Sequence, residues 1–286
     1  MTWRRLARAA GLVLVVAALA YLSGELMLYR DSLAARNLPA GTWATLAALG
    51  VLYGAAMLLL AEQWHRIVGL FGELPRARTW PSYTATLVAR YLPGNVFHIV
   101  GRAAWLQGGA LSNAALLRAS ALELALTPVA AAVLLLPLLP FLPQPIQGIG
   151  LALVTGILIA LAACRPLRRL AAAWLPRLAP ALIFGVAFMA VLAATFAAVT
   201  TLVAPVAPHL AAAVALAAWL AGYATPGAPG GIGVREATFV ALLSTMIPTE
   251  TALLAAVLFR GITILGDVVC FFLGAGSTIA ARRVQS

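Results

Sequence analysis

The chain of 286 residues is 63% hydrophobic and only 9% charged, where a soluble domain carries about 25% charged residues. Its mean hydropathy of +1.00 excludes an ordinary soluble domain, and its continuous Ala/Leu-rich apolar runs exclude the alternating pattern of a membrane β-barrel. The net charge of +11 comes from 19 arginines and no lysine; they cluster at the ends of apolar runs, a pattern of topology signals and anionic-lipid contact rather than of nucleic-acid binding.

In chain order, Arg4-Arg5-Leu6-Ala7-Arg8 precedes an apolar run over residues 9–29. That run exceeds the roughly 7–15-residue core of a signal peptide. An uncleaved first helix is therefore expected, with cleavage near Ser32-Leu33-Ala34 as the alternative. Further full spans are predicted over 42–61, 113–137, 147–163, 181–204 and 250–275, each near the roughly 20 residues a helix needs to cross. Trp3, Trp43, Trp64, Trp80 and Trp174 fall near the predicted interfaces. Two segments fit poorly as simple spans: residues 80–107, broken at Pro93-Gly94, and residues 209–247, broken between Pro226 and Gly233.

Each broken segment is either a kinked span or a hairpin that enters and leaves on one side. The arginines decide. With a cytoplasmic N-terminus and two hairpins, thirteen loop arginines lie inside and two, Arg30 and Arg36, lie outside. Either alternative exports an arginine-rich loop, against the positive-inside rule. The expected fold is an all-α polytopic membrane protein. It has about six transmembrane helices and two re-entrant broken-helix hairpins, the first entering from the cytoplasm and the second from outside. Residues 1–286 form a single integral membrane domain with both termini cytoplasmic. In each hairpin an arginine follows the Pro-Gly proline by nine residues, Pro93 to Arg102 and Pro226 to Arg235. That spacing fits inverted-topology repeats, and it also fits coincidence.

Seven ionisable side chains lie inside the apolar stretches: Arg90, Arg102, Glu123, Arg235, Glu236, Arg260 and Asp267. A charge at bilayer depth costs about 2.5–3.5 kcal/mol on insertion scales, so such residues face a protein interior or a wet cavity and mark function. The exit arms of the hairpins begin near Val96 and Val234, which aims two helix N-termini at the midplane. Free N–H groups and the helix dipole suit such ends to an anion like phosphate. Pro93, Gly94, Pro229, Gly230, Gly231 and Gly233 form the tip backbones, the glycines permitting close approach. Asn95 is a candidate N-cap for the first exit arm. His98 and Arg102, four apart, share a helix face, with Arg102 about 10 Å from the tip. The acids can neutralise the arginines when no substrate is present. Buried ion pairs that merely fix helix packing are the alternative reading. Trp219 and Tyr223 read as packing or interfacial aromatics.

Cys164, Cys270, His65, His98 and His209 show no metal-ligand spacing, so neither metal nor cofactor is expected. No catalytic motif is present either: there is no nucleophile elbow, zinc helix or phosphate-loop lysine.

Pro229-Gly230-Gly231-Ile232-Gly233-Val234-Arg235-Glu236-Ala237 and the apolar half-helix after it resemble the signature of the lysylphosphatidylglycerol synthase transmembrane (flippase-like) family. Arg90-Tyr91-Leu92-Pro93-Gly94-Asn95 resembles that family's first Pro-Gly segment, though a lysine is common where this chain has Asn95. Glu123 and Arg260 match its acidic and basic positions in the helices that follow. The resemblance implies translocation of an anionic lipid across the bacterial inner membrane, the lipid being a modified phospholipid or a polyisoprenyl-phosphate-linked sugar. It implies no enzymatic activity. The expected partners are that lipid, the surrounding membrane lipids and a lipid-modifying enzyme such as a glycosyltransferase. The alternative is a non-transporting membrane scaffold for such a glycosyltransferase, and a membrane-embedded enzyme comes third.

Overall fold

The computed structural model describes residues 39–91, 97–225 and 233–284. The expected first span, 9–29, and the tip residues Pro93, Gly94, Asn95, Pro229, Gly230 and Gly231 lie outside the described residues. Within them the chain is helical throughout, without strand. It runs α1 (Ala40–Gly69), α2 (Arg76–Thr84), a 3-10 turn (Leu87–Tyr91), α3 (Phe97–Leu106), α4 (Asn113–Leu135) and a second 3-10 helix (Leu136–Phe141). It continues with α5 (Gln144–Ala163), α6 (Arg165–Val203), α7 (Pro208–Ala224), α8 (Val234–Leu243) and α9 (Thr249–Val284). Among the described residues, four segments are long and apolar enough to cross a membrane: Ala40–Gly69, Asn113–Phe141, Pro176–Val203 and Thr249–Gly274. The protein is a helical multi-pass membrane protein, and α1, α4, α6 and α9 are its frame.

Local chemistry explains most boundaries. Ser112 caps α4, its hydroxyl accepting from the Ala115 N–H at 3.2 Å. Pro39 and Pro75 sit just before α1 and α2, where a missing N–H costs nothing. The helix containing the predicted 181–204 span begins earlier, at Arg165, and the expected 165–177 loop is its first turns. Pro166 sits harmlessly in the first turn. Pro176 and Pro180 lie inside the helix and each removes one N–H donor, leaving the Ala172 and Pro176 carbonyls without their intrahelical bonds.

α1 packs along both α9 and α6, and α4 closes on α6. At the α1–α9 crossing the backbones touch: a Cβ on Gly54 would lie 2.7 Å from the Gly266 carbonyl, and one on Gly266 would lie 2.5 Å from Tyr53. Small residues permit such close approach between apolar helices, which have no hydrophobic driving force in lipid. The core beside this seam is aromatic. Phe196 and Phe239 stack at 4.3 Å, and Phe259 meets both edge-on at 5.0 and 5.6 Å.

The two broken segments fold back on themselves. α2 and α3 pack together, as do α7 and α8; the halves of a kinked span would diverge. The Arg78 guanidinium lies against Gly109, and Leu111 against Gly72, so the first hairpin starts and finishes at one end of the molecule. Arg66, Arg76 and Arg177 line a shared groove at that same end. The second hairpin starts at the other end, where His209 meets Phe141 at 5.9 Å beyond the far end of α4. The two hairpins thus enter from opposite ends of the frame.

A carboxylate ties the first hairpin to α1. Glu62 accepts from Arg66 at 2.7 Å, from Arg76 at 2.7 and 2.9 Å, and from the Trp80 N–H at 3.1 Å. Trp64, expected at a membrane interface, is fully enclosed, its N–H donating to Ser82 at 3.0 Å. The Ser82 hydroxyl in turn donates to the Thr79 carbonyl at 2.6 Å. The ring's large apolar area and its satisfied donor make the interior the better place for it.

Candidate functional site

The exit arms begin at Phe97 and Val234, where the Pro-Gly breaks place them. Glu123 is the eleventh residue of 23-residue α4, and Arg260 is the twelfth of the Thr249–Gly274 span. The charges therefore sit in the middle of the frame helices, 1.5 Å of rise per residue from either end.

Three ion pairs form among the seven. Arg90, at the end of the first entry arm, donates to both Asp267 oxygens on α9 at 3.0 and 3.3 Å. Arg102 on α3 donates to Glu123 Oε1 on α4, and both residues are buried. Arg260 on α9 lies 3.5 Å from Glu236 on α8. Each exit arm is thus bound to the frame helix after it by one ion pair, with the signs exchanged between the halves. Arg260 and Asp267 share a face of α9 and serve different hairpins.

The fourth arginine is different. Arg235 has no carboxylate within ion-pair distance among the described residues, and its Nε is buried without a hydrogen-bond partner. Its guanidinium lies 5.9 Å from the Trp219 ring centre, a cation–π geometry at the edge of useful range. Arg90, Arg260, Glu236 and the buried Tyr53 ring surround it within electrostatic reach. Among the described residues, four guanidiniums face three carboxylates here, and Arg235 is the one left without a carboxylate.

Glu236 changes the expected role of the α8 N-terminus. Its Oε2 accepts the Gly233 N–H at 2.8 Å, a reach-back cap of the kind a glutamate at the third helical position makes. Gly233 adopts φ +82, a left-handed conformation that a side chain would strain. A built-in carboxylate therefore already occupies part of the donor end expected to receive an anion.

Aromatic side chains join the two halves. The Arg102 guanidinium lies 3.8 Å from the Tyr83 ring centre. Trp219 and Tyr223 stack at 5.0 Å, and the Tyr223 hydroxyl donates to the Leu124 carbonyl at 2.6 Å, next to Glu123. The stack runs from Arg235 on the second hairpin to the Arg102–Glu123 pair of the first. His98 lies on the Arg102 face within reach of Arg102 and Arg90, its Nδ1 buried and unpartnered. Tyr53 and Tyr83 give no signal in the sequence, because an isolated tyrosine in an apolar segment has no telling spacing. Trp219 and Tyr223, packing or interfacial aromatics by sequence, pack against the charged cluster.

No group of three metal-ligating side chains occurs among the described residues. Comparison with known proteins yields no match, whether to family models, to curated proteins or to solved structures.

Proposed function

We propose that this chain is a flippase-like lipid translocator of the bacterial inner membrane, with both termini on the cytoplasmic side. The lipid is anionic: a modified phospholipid or a polyisoprenyl-phosphate-linked sugar. The motif resemblance to the lysylphosphatidylglycerol synthase transmembrane family points the same way. The observation that carries the reading is the uncompensated Arg235 at the meeting of two oppositely entering hairpins. A half-buried guanidinium without a carboxylate is costly inside a membrane, and a headgroup phosphate supplies the hydrogen-bonding partner it lacks. The phosphate docks on Arg235, with Arg90 and Arg102 next to it. Glu236, Asp267 and Glu123 hold the neighbouring guanidiniums until the headgroup arrives. Acyl or prenyl tails stay in lipid while the headgroup crosses, and alternating exposure of the two hairpins gives access to each leaflet.

Proteoliposomes holding the full chain and a headgroup-labelled anionic phospholipid test this. The wild-type chain should move the label between leaflets without changing it covalently, and a neutral zwitterionic analogue should stay behind. Arg235→Ala should slow movement about tenfold or more, as loss of one charge-assisted hydrogen bond of about 1.5–3 kcal/mol demands. Arg235→Lys should fall in between, keeping the charge but losing the planar fork. Wild-type vesicles that leave the label in its original leaflet, or full activity in Arg235→Ala, would remove the proposal.

A further inference from the structure

The Arg102–Glu123 pair contains an imbalance that packing alone does not explain. Both residues are buried, at 3% and 8% exposure. One carboxylate oxygen, Oε1, takes Arg102. The other, Oε2, is buried with no hydrogen-bond donor, and Arg102 Nε is buried with no acceptor. Native interiors satisfy nearly all such atoms, so an orphaned acceptor and an orphaned donor on one ion pair call for a ligand. Two of the nearby hydroxyls are committed elsewhere, while Ser120 Oγ, three residues before Glu123, is buried and itself unpartnered. Tyr223 donates to the Leu124 carbonyl, and Thr127 to the Glu123 carbonyl at 2.8 Å. The Tyr83 ring presents its face to the guanidinium.

We propose that Glu123 Oε2 is a proton-binding site, and that an anionic headgroup taken up by Arg102 brings one proton onto Glu123. This rests on the lipid-translocation reading and supplies its coupling ion. The charges balance in each step. The phosphate replaces Glu123 as the partner of Arg102, which strands a buried carboxylate with no counter-charge, a state the interior strongly disfavours. A proton from the aqueous phase then forms an O–H bond at Oε2 and cancels that charge. One negative and one positive charge enter together, and the buried net charge is unchanged. On release the proton leaves, and the Arg102–Glu123 pair reforms. By linkage, acid strengthens headgroup binding, and headgroup binding takes up protons by the same free energy.

Among the described residues, few ionisable groups surround Glu123. Arg102 and His98 come from α3, Tyr83 from α2 and Tyr223 from α7. α5, the second 3-10 helix and the Leu178–Val203 stretch of α6 carry none. α1 carries Tyr53, Glu62, His65 and Arg66, and Glu62 is held by Arg66 and Arg76. His98 is the competing titratable group and needs its own control.

The test is binding of a short-chain, water-soluble phosphatidylglycerol to the purified full chain in detergent, by calorimetry, across about pH 5 to 9. Wild-type affinity should fall with rising pH, approaching tenfold per unit above the Glu123 titration. Repeating the titration in buffers of different ionisation enthalpy should show uptake of about one proton per lipid. Glu123→Gln should flatten the pH profile, and His98→Asn should keep the wild-type slope. A merely structural Glu123 would instead give a Gln variant weakened by one factor at every pH with the slope intact, which overturns the proposal. Should Glu123→Gln fail to fold, the wild-type proton count decides alone. Wild-type binding with no proton uptake overturns the proton site and leaves the lipid reading standing. Wild-type chain that binds no anionic lipid at any pH overturns the lipid reading itself.

Discussion

Arg90 and Asp267 are 177 positions apart and meet at 3.0 Å. Taking both charges out of water is expensive, and their mutual attraction repays this only while both remain. Removing both partners should therefore cost less than the two single losses added together. We expect Asp267→Asn to lower stability in detergent by about 3–5 kcal/mol, and Arg90→Gln to do the same. The double variant should lose less than the sum, with a coupling of about 0.5–3 kcal/mol in a double-mutant cycle. Strictly additive losses, read from thermal or denaturant unfolding, would mean that the two side chains act independently. Which residues matter at this scale was legible in the sequence, because a charge inside an apolar run stands out by its cost. The partners were not legible. Helical spacing puts Arg260 and Asp267 on one face, yet the choice between Glu236 and Arg90 is made by hairpins far away in the chain.

At the scale of elements, one proline explains one tyrosine. Pro128 lies inside α4 and has no N–H, so the carbonyl four residues earlier, at Leu124, loses its intrahelical donor. Leu124 faces outward at 43% exposure, and in a bilayer no water is there to replace that donor. Tyr223 from α7 supplies the missing hydrogen bond at 2.6 Å, which fastens the second hairpin to the helix bearing Glu123. Tyr223→Phe should therefore destabilise the protein by about 1–3 kcal/mol, the cost of an unsatisfied buried carbonyl. Adding Pro128→Ala should recover much of that loss, because the restored N–H can bond Leu124 directly. A Pro128→Ala background that leaves the Tyr223→Phe loss undiminished, measured by thermal unfolding, would show that the two positions are unconnected. The elements themselves were largely readable. Apolar length located α1, α4, α5 and α9, and the Pro-Gly breaks located the starts of α3 and α8. The start of α6 was not readable, since prolines punctuate loops more often than they lie four apart in a helix. Trp64 was misplaced for a related reason: an aromatic near an arginine-rich helix end fits an interface and a core equally well until its N–H partner is known.

For the whole molecule, charge and shape agree along one axis. Arg66, Arg76 and Arg177 line one groove, and Arg78 lies at the same end. The loop from α3 to α4 returns there, and Cys164 alone separates the end of α5 from the start of α6. The positive-inside rule predicts the cytoplasmic side for an end of this kind. The two cysteines make that orientation measurable without adding a label site. Cys164 is exposed at the positive end, and Cys270 is buried within α9. A membrane-impermeant maleimide should modify Cys164 in inside-out vesicles and spare it in intact cells or right-side-out vesicles. Cys270 should stay unmodified in both until the protein is denatured, which controls for leakage and unfolding. Modification of Cys164 from the outer face would invert the whole assignment. The first hairpin would then open outward, and the arginine-lined groove would lie on the side that the positive-inside rule forbids. The proposed proton site would survive that inversion, because Glu123 lies midway along its helix, but the direction from which each hairpin admits a headgroup would reverse.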